Sequence, residues 1–341
     1  MQRRAFTHTV SLILGIALAS LCLGCSWVIG DTPMSTVHPT TPEGRLIQSI
    51  YAEITWIVLA IFIVVEGLLL YAILRFRQRP GDTGVPDQVH GNTVLEVGWT
   101  IIPVLIVMAI AVPTLRGTCA LQEPAGADGA LTVNVNGKQW WWEFEYPEYG
   151  IVTADELHLP TGRMANLMLR SDNVIHSFWV PRLMGKRDLV PSRGQHLWFT
   201  PEQTGWYVGQ CAEMCGASHA YMGIRVKIDT PEEFAAWVES QKAPAKTGMS
   251  DPGFLAFMQA GCIACHTINF EGSPARQRVG PNLTHVGSHM TIAAARFENT
   301  PENLARWLRN PPAEKPGSLM PNLNLKDEQI AKLVSYLENL K

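Results

Sequence analysis

The chain has 341 residues, 47% of them hydrophobic and 17% charged, a balance that excludes a disordered polypeptide. Its 27 basic and 30 acidic side chains give a formal charge of −3, so no basic field attracts phosphate backbones, and nucleic acid is excluded as an expected partner. The mean hydropathy of +0.05 is high for a water-soluble protein, and the excess lies in the first third of the chain. Four of the seven cysteines stand in two close pairs, which indicates metal or cofactor chemistry.

Residues 1–24 have the layout of a bacterial secretory signal, with two arginines near the start and an apolar run over 10–23. Gly24 followed by Cys25 resembles a lipoprotein cleavage site, which would leave a lipidated Cys25 at the mature N-terminus. Cys22 stands where that motif usually has Leu or Val, so an uncleaved anchor helix stays open as the alternative.

A two-helix transmembrane hairpin is predicted over 45–118. Its two apolar stretches, 54–74 and 97–115, each hold about 20 residues, enough for a helix to cross the hydrocarbon core. Three arginines lie in the loop between them, so the positive-inside rule places that loop in the cytoplasm and the following chain outside. Glu66 in the first stretch and Glu96 at the start of the second indicate a function or a buried partner. For Glu96, a solvated residue at a helix end is the alternative.

Residues 125–240 are predicted to form an all-β domain. From Leu131 onward apolar and polar residues alternate, as in a half-buried strand. Further strands are predicted over 138–146, 163–170, 174–180, 196–200, 206–210 and 223–228. Many short strands separated by Pro and Gly turns favour a sandwich or barrel. Thr230 and Glu233 form a capping box around Pro231, which predicts a short helix at the end of the domain.

The densest set of metal ligands lies in one loop of this domain, residues 211–222. Cys211, Cys215, His219 and Met222 supply two thiolates, an imidazole and a thioether, and His176 on a predicted strand offers a second imidazole. The thioether and the Irving–Williams order favour copper. Zinc, or a disulfide between the two cysteines in an oxidising compartment, are the alternatives that the spacing leaves open.

Three segments carry a resemblance to a known family. Cys-x-Glu-x-Cys-Gly-x-x-His-x-x-Met at 211–222, His-Ser-Phe-Trp-Val-Pro at 176–181 and Gln-Trp-Trp-Trp-Glu-Phe-Glu-Tyr at 139–146 closely resemble subunit II of haem-copper cytochrome c oxidases. The resemblance covers about residues 45–240 and implies a cupredoxin-like barrel holding a binuclear copper centre, CuA. It implies that Cys211 and Cys215 bridge two coppers and that His176 and His219 cap them. Met222 and the backbone carbonyl of Glu213 are the implied weaker ligands.

The same resemblance implies three further roles. The Glu213 side chain would reach a magnesium ion at the border with subunit I. Glu96, in Leu-Glu-Val-Gly-Trp, matches a glutamate at the entrance of a proton pathway into that subunit. Trp140 stands where the family has a surface tryptophan through which electrons arrive. For Trp142 and Phe144, core packing between strands is expected instead.

After a linker at 241–250, residues 251–341 contain Cys-Ile-Ala-Cys-His at 262–266, the attachment motif of c-type haem. Cys262 and Cys265 would bond the haem and His266 would bind its iron. The alternative is a redox dithiol with an incidental histidine. Gly-Pro-Asn-Leu at 280–283 and two amphipathic helices resemble a small all-α class I cytochrome c.

The sixth ligand of the haem iron is expected to be Met320, which precedes Pro321 in a loop before the last helix, as in that family. His285, His289 and Met290 are the other candidates between these helices. Methionine with histidine raises the haem potential, which suits a donor to copper.

Together these features predict the subunit of a terminal cytochrome c oxidase where electrons enter: haem c would pass them to CuA and on to subunit I, which reduces oxygen and pumps protons. Subunit I, subunit III, and a soluble cytochrome c or an upstream respiratory complex are the expected partners. The expected location is the bacterial cytoplasmic membrane, with both soluble domains on its outer side. Two rival functions fit the residues less well: a quinol oxidase subunit would lack the copper ligands, and a copper-delivery protein would have no haem.

Overall fold

The computed structural model describes residues 32–81, 83–85, 88–122 and 128–341. The predicted secretory signal and Cys25 lie outside these residues. The chain forms two compact units, one made of residues 45–126 and the other of the remaining chain.

The first unit is a pair of long helices, α1 (Pro42–Phe76) and α2 (Thr93–Gln122), and both are long and apolar enough to cross a membrane. Both helices are longer than their predicted apolar stretches, since the helical backbone continues into the flanking residues. Their apolar side chains are exposed on all sides, as expected for helices that face lipid. Gly117 of α2 lies directly against Ile50 of α1, where a larger residue would not fit.

The second unit begins with the β domain, which contains two five-stranded sheets. The first sheet has the order β3-β2-β1-β5-β8, and the second has the order β4-β10-β9-β6-β7. The strands are β1 (Leu131–Lys138), β2 (Trp141–Tyr146), β3 (Ile151–Ala154), β4 (Glu156–Pro160), β5 (Ala165–Ser171), β6 (His176–Trp179), β7 (Arg187–Leu189), β8 (Gln195–Phe199), β9 (Gly205–Cys211) and β10 (Gly223–Asp229).

The core of the β domain lies between the two sheets. The alternating apolar residues of β1 point inward, and Leu131, Val133 and Val135 are fully buried. The predicted continuous strand over 138–146 is in fact the end of β1, a turn, and β2, because the chain reverses at Trp140 and pairs β2 antiparallel to β1. Trp142 and Phe144 are fully buried, which confirms their predicted core role.

The β domain ends in α3 (Pro231–Lys242). The Thr230 side chain accepts a hydrogen bond from the backbone N–H of Glu233, and the Glu233 side chain accepts one from the backbone of Thr230, so the predicted capping box is confirmed. Residues 243–250 then connect to the last domain without helix or strand. Ala245 in this connection packs into the core of that domain.

The last domain is helical. Its helices are α4 (Pro252–Gln259), α5 (Pro301–Arg309), the single turn α6 (Pro311–Glu314) and α7 (Asp327–Glu338). Two short strands of two residues each, β11 (Thr291–Ile292) and β12 (Phe297–Glu298), form a small antiparallel sheet. The helices α4 and α5 pack on α7. The order of a helical hairpin, a cupredoxin-like β domain and a small helical domain is therefore confirmed.

Candidate metal and haem sites

Sheet pairing brings the predicted copper ligands together. His176 opens β6 and Cys211 ends β9, and these two strands are antiparallel neighbours paired through Phe178 and Cys211. The chain then turns through residues 212–222 and returns along β10. An imidazole 35 positions away in sequence therefore lies beside the loop that carries both thiols.

Six ligand groups converge around the two sulfurs. The Cys211 and Cys215 Sγ atoms are 3.8 Å apart and unbonded. The Nδ1 atom of His176 lies 3.8 Å from the Cys211 sulfur, and that of His219 lies 3.6 Å from the Cys215 sulfur. The Glu213 carbonyl and the Met222 thioether complete the set, at 3.3 Å from the Cys211 sulfur and 4.0 Å from the Cys215 sulfur. Each sulfur thus has one imidazole and one weaker donor beside it.

A hydrogen bond fixes the orientation of His176. Its Nε2 lies 3.0 Å from the Asn173 side-chain oxygen, so Nε2–H donates there and Nδ1 is left as the free ligand atom facing Cys211. The ring packs against Gly137 of β1, where an added Cβ would come within 3.0 Å of it. His176 is completely buried.

The Cys211 and Cys215 thiols change each other's pKa in opposite directions. A hydrogen bond from the Cys215 thiol lowers the pKa of Cys211 to about 3. The same bond, together with burial and the nearby Cys211 charge, raises the pKa of Cys215. One thiolate forms readily, and the second needs a positive charge between the sulfurs, as a bound metal ion provides.

The donor set suits copper. Two thiolates, two imidazoles and a thioether are soft and borderline ligands, and the buried members exclude water. His176, Cys211 and Cys215 form the one group of metal-ligating side chains of this kind within the part of the chain that the structure describes.

A cavity of about 270 Å³ lies next to the Cys-Ile-Ala-Cys-His segment, between the helical domain and the β domain. Cys262, Cys265, His266 and Met320 all line it. Apolar side chains, including Trp307, form much of the rest of the wall. The four groups that the sequence predicts for haem attachment and ligation therefore share one cavity.

The His266 ring is held in a defined orientation. Its Nδ1 lies 2.7 Å from the Pro281 carbonyl oxygen, which leaves Nε2 as the free ligand atom. Gly280 passes so close that an added Cβ would lie 2.6 Å from the ring. Burial lowers the pKa of His266, which keeps the imidazole neutral as a metal ligand requires.

The other candidates for the sixth ligand differ in position. Met290 is 49% exposed and does not line the cavity. His285 is buried but also absent from its wall, and its Nε2 has no hydrogen-bond partner among the described residues. His289 lines a smaller adjoining cavity that Met320 and His266 also border. Met320 is thus the candidate that shares the larger cavity with His266.

Trp140 lies between the two sites. Its indole lines the haem cavity, and its Nε1–H donates to the Cys215 carbonyl oxygen at 3.0 Å. The resemblance implies a surface tryptophan, yet only 7% of Trp140 is exposed. The reason is that the helical domain covers it: Gly317 packs on one edge of the ring, while Gly216 of the copper loop (residues 211–222) packs on another.

Several residues that join the two domains have no motif and could not be found from sequence. Glu143 on β2 is buried because Arg278 of the helical domain binds it at 2.9 Å. The Ser218 hydroxyl, next to His219 in the copper loop, donates to the Pro316 carbonyl at 2.6 Å. Asp155 and Lys315 are both buried in the same interface. Their partners lie in the other domain, so only tertiary structure pairs them.

The remaining predicted site residues lie apart from these centres or on their edges. The Glu213 side chain is partly exposed. Glu96 lies in the first turn of α2, where its carboxylate accepts a hydrogen bond from the backbone N–H of Asn92, and the Asn92 side chain accepts from Val94 and Leu95. This arrangement caps the start of the helix.

Comparison with known proteins agrees with this domain order. Residues 34–116 match the transmembrane domain and residues 151–228 the periplasmic domain of cytochrome c oxidase subunit II, and residues 250–341 match cytochrome c. The chain is 34% identical to cytochrome c oxidase subunit 2 of Alkalihalophilus pseudofirmus, with 98% of each chain covered. It is also 34% identical to that of Bacillus subtilis, with 97% of each covered, and 35% identical to that of Bacillus sp. strain PS3, with 95% of each covered. The chain therefore belongs to the cytochrome c oxidase subunit 2 family, as a membrane-bound oxidoreductase subunit with an extracellular β domain and a C-terminal cytochrome c domain.

Proposed function

We propose that this chain is the subunit where electrons enter the oxidase, taking them up in its cytochrome c domain and passing them through its β domain to subunit I, which reduces oxygen to water and pumps protons. The observation that carries this proposal is the position of Trp140. One side of its indole borders the cavity lined by Cys262, Cys265 and His266, and its N–H donates to the carbonyl of Cys215. One side chain thus spans the space between the two candidate redox sites.

The family resemblance assigns residues to each group, and the donor chemistry supports that assignment. Cys211, Cys215, His176, His219, Met222 and the Glu213 carbonyl would hold a pair of copper ions. Cys262 and Cys265 would hold a haem covalently, and His266 and Met320 would bind its iron. Bound by these residues, the copper pair and the haem would supply one-electron carriers.

The protein part of the site restricts movement. His176 and His266 each have one ring nitrogen hydrogen-bonded to the protein, so the other nitrogen keeps one direction. The buried Cys211, Cys215 and Met222 exclude water from the copper loop. Rigid, dry ligands favour electron transfer because little has to rearrange when the charge changes.

The contacts with the rest of the oxidase are also part of the proposal. The Glu213 side chain would bind magnesium at the border with subunit I, and Glu96 would mark the entrance of a proton pathway there. Subunit III and a soluble cytochrome c or an upstream respiratory complex would be the further partners. The two helices would anchor the chain in the bacterial cytoplasmic membrane with both soluble domains on its outer side, and lipidation of Cys25 would add a second anchor.

Metal and haem analysis of the purified oxidase tests the proposal. We expect two coppers and one covalent haem c in this chain, with the purple spectrum of a mixed-valence copper pair. A chain with haem but without that copper spectrum would contradict the proposed electron path. A single labile copper without haem would instead support the copper-delivery function.

A further inference from the structure

Two buried charged residues bind across the interface between the β domain and the cytochrome c domain. Lys315 of the cytochrome c domain is 4% exposed, and its ammonium group donates to the backbone carbonyl of Trp140 in the β domain. Asp155 of the β domain is 6% exposed, and its carboxylate accepts from the backbone N–H of Ala294 in the cytochrome c domain at 3.1 Å. Each side chain therefore holds the backbone of the opposite domain.

The same two residues also bind within their own domains. The second oxygen of Asp155 accepts from the backbone N–H of Trp142 at 2.9 Å, and the Lys315 ammonium donates to the Ala293 carbonyl at 3.1 Å. Asp155 is thus tied to the residue two positions after Trp140, and Lys315 to the residue just before Ala294. The four hydrogen bonds connect Trp140, Trp142 and Asp155 of the β domain with Ala293, Ala294 and Lys315 of the cytochrome c domain.

The backbone at the cytochrome c side of this interface is strained. Ala293, Ala294 and Ala295 have φ angles of 56°, 61° and 56°, in the left-handed region that is unfavourable for an alanine. The bonds from this segment go to Lys315, to Asp155 and to the N–H of Gly223, which donates to the Ala294 carbonyl at 3.0 Å. The contacts across the interface therefore maintain the strained segment.

Lys315 also contacts Trp140, the residue that lies between the two candidate redox sites. The peptide group that it binds belongs to Trp140, and Gly317, two residues further on, packs on the Trp140 ring. Attraction between Lys315 and Asp155 offsets part of the cost of burying both charges.

We propose that Lys315 and Asp155 are positioning residues that hold the cytochrome c domain on Trp140 in one fixed arrangement and thereby set the rate of electron transfer between the two domains. This inference rests on the proposed function. If it holds, the two residues affect the rate of electron transfer, whereas residues that only stabilise the fold would leave that rate unchanged.

The test uses the full-length chain in the purified oxidase and follows electron transfer from haem c to copper after flash reduction. The variants are Lys315→Met, Asp155→Asn and the double variant, which leaves no lone buried charge and so keeps the domain folded if a single variant does not. Lys332→Met is the matched control, because Lys332 pairs with Glu328 on the exposed face of α7.

We expect the transfer rate to fall about tenfold in each single variant of Lys315 or Asp155, as small displacements of positioned groups have large effects on rate. The double variant should be no slower than the slower single one, since either change already loosens the interface that both residues hold together. The haem and copper spectra and the two midpoint potentials should not change, and the control should match the unmodified chain.

Two results would overturn the inference. In one, the variants unfold at lower temperature but transfer electrons at the unmodified rate, which would assign the pair a purely structural role. In the other, the rates fall in proportion to changed midpoint potentials, which would show an effect on driving force and not on position. Failure of the proposed function is distinguished by the unmodified chain itself, which would then lack the copper spectrum.

Discussion

The β domain and the cytochrome c domain assemble their ligand sets in different ways. In the cytochrome c domain, three of the four groups proposed to hold haem come from the five residues 262–266, so local chain geometry positions them. In the β domain, His176 and the loop 211–222 meet only because β6 and β9 are paired in one sheet. A site of the first kind tolerates change elsewhere in its domain, whereas one of the second kind depends on correct sheet register.

The thiols of the two domains also differ, in the direction in which their pKa values are shifted. A hydrogen bond from Cys215 lowers the pKa of Cys211, whereas burial raises the pKa of the Cys262 thiol to about 11. The first environment favours a thiolate, the form that binds metal, and the second favours a neutral thiol. The comparison shows two uses of cysteine in one chain, separated by the local environment of the sulfur.

The largest expected effect is the loss of one bridging sulfur. Cys211→Ser replaces a soft thiolate by a hydroxyl, so we expect copper to be lost and oxygen uptake to fall nearly to zero. Haem c should stay attached, because Cys262 and Cys265 lie in the other domain. Metal analysis and oxygen uptake provide the measurement, with Cys119→Ser as the control because Cys119 is exposed on α2. A variant that kept two coppers and full turnover would contradict the copper assignment.

The next prediction concerns the cytochrome c domain and the proposed sixth ligand of the haem iron. Met320→His should lower the midpoint potential of haem c, because imidazole is a stronger donor to ferric iron than a thioether, while the haem stays covalently bound. Redox titration of the haem band measures the change. Met290→His is the matched variant and should leave the potential as it is, since Met290 does not line the cavity. An unchanged potential in Met320→His would point to His285, His289 or Met290.

A smaller effect is expected at Trp140, which joins the two sites. Trp140→Phe keeps most of the volume but removes the N–H that binds the Cys215 carbonyl. Transfer from haem c to copper should slow severalfold with native spectra, and Trp206→Phe on β9 should have no effect. Flash reduction measures both rates. Unaltered transfer in Trp140→Phe would leave Trp140 as packing only, and a general loss of stability would indicate a core role.

The smallest effect concerns pH and the contact between the domains. Glu156 accepts two bonds from Thr291 through one oxygen, and burial raises its pKa. The folded protein then holds this proton more tightly than the unfolded chain, so stability falls as pH rises from about 4.3 through the folded pKa. A glutamine oxygen can accept the same two bonds.

Glu156→Gln should therefore unfold at an equal or slightly higher temperature at pH 7 and lose its advantage near pH 4, a difference within about 1 kcal/mol. Thermal unfolding followed by haem absorption at the two pH values measures it. Glu271→Gln, at an exposed position, is the control. A variant that was markedly less stable at pH 7 would mean that the Glu156 charge itself stabilises the contact.

Much of the fold could be predicted from patterns of residues. The apolar runs predicted α1 and α2, alternation predicted β1, and the capping box at Thr230 predicted the start of α3. Boundaries were less accurate, as at Trp140, because alternation continues across the turn between β1 and β2. The sequence also did not predict which face of the first sheet is covered, because Glu143 on β2 is bound by Arg278 of the cytochrome c domain.

The amino-acid sequence by itself determined the chemistry of this protein: which soft ligands are present, their spacing within loops, and which stretches are apolar enough for a membrane. These properties are local, so they can be read from neighbouring residues. Only the tertiary structure decided that His176 faces Cys211, that the cytochrome c domain covers Trp140, and that Asp155 and Lys315 bind across the interface. Such contacts join residues far apart in the chain, and they depend on the packing of whole domains, which no local pattern encodes.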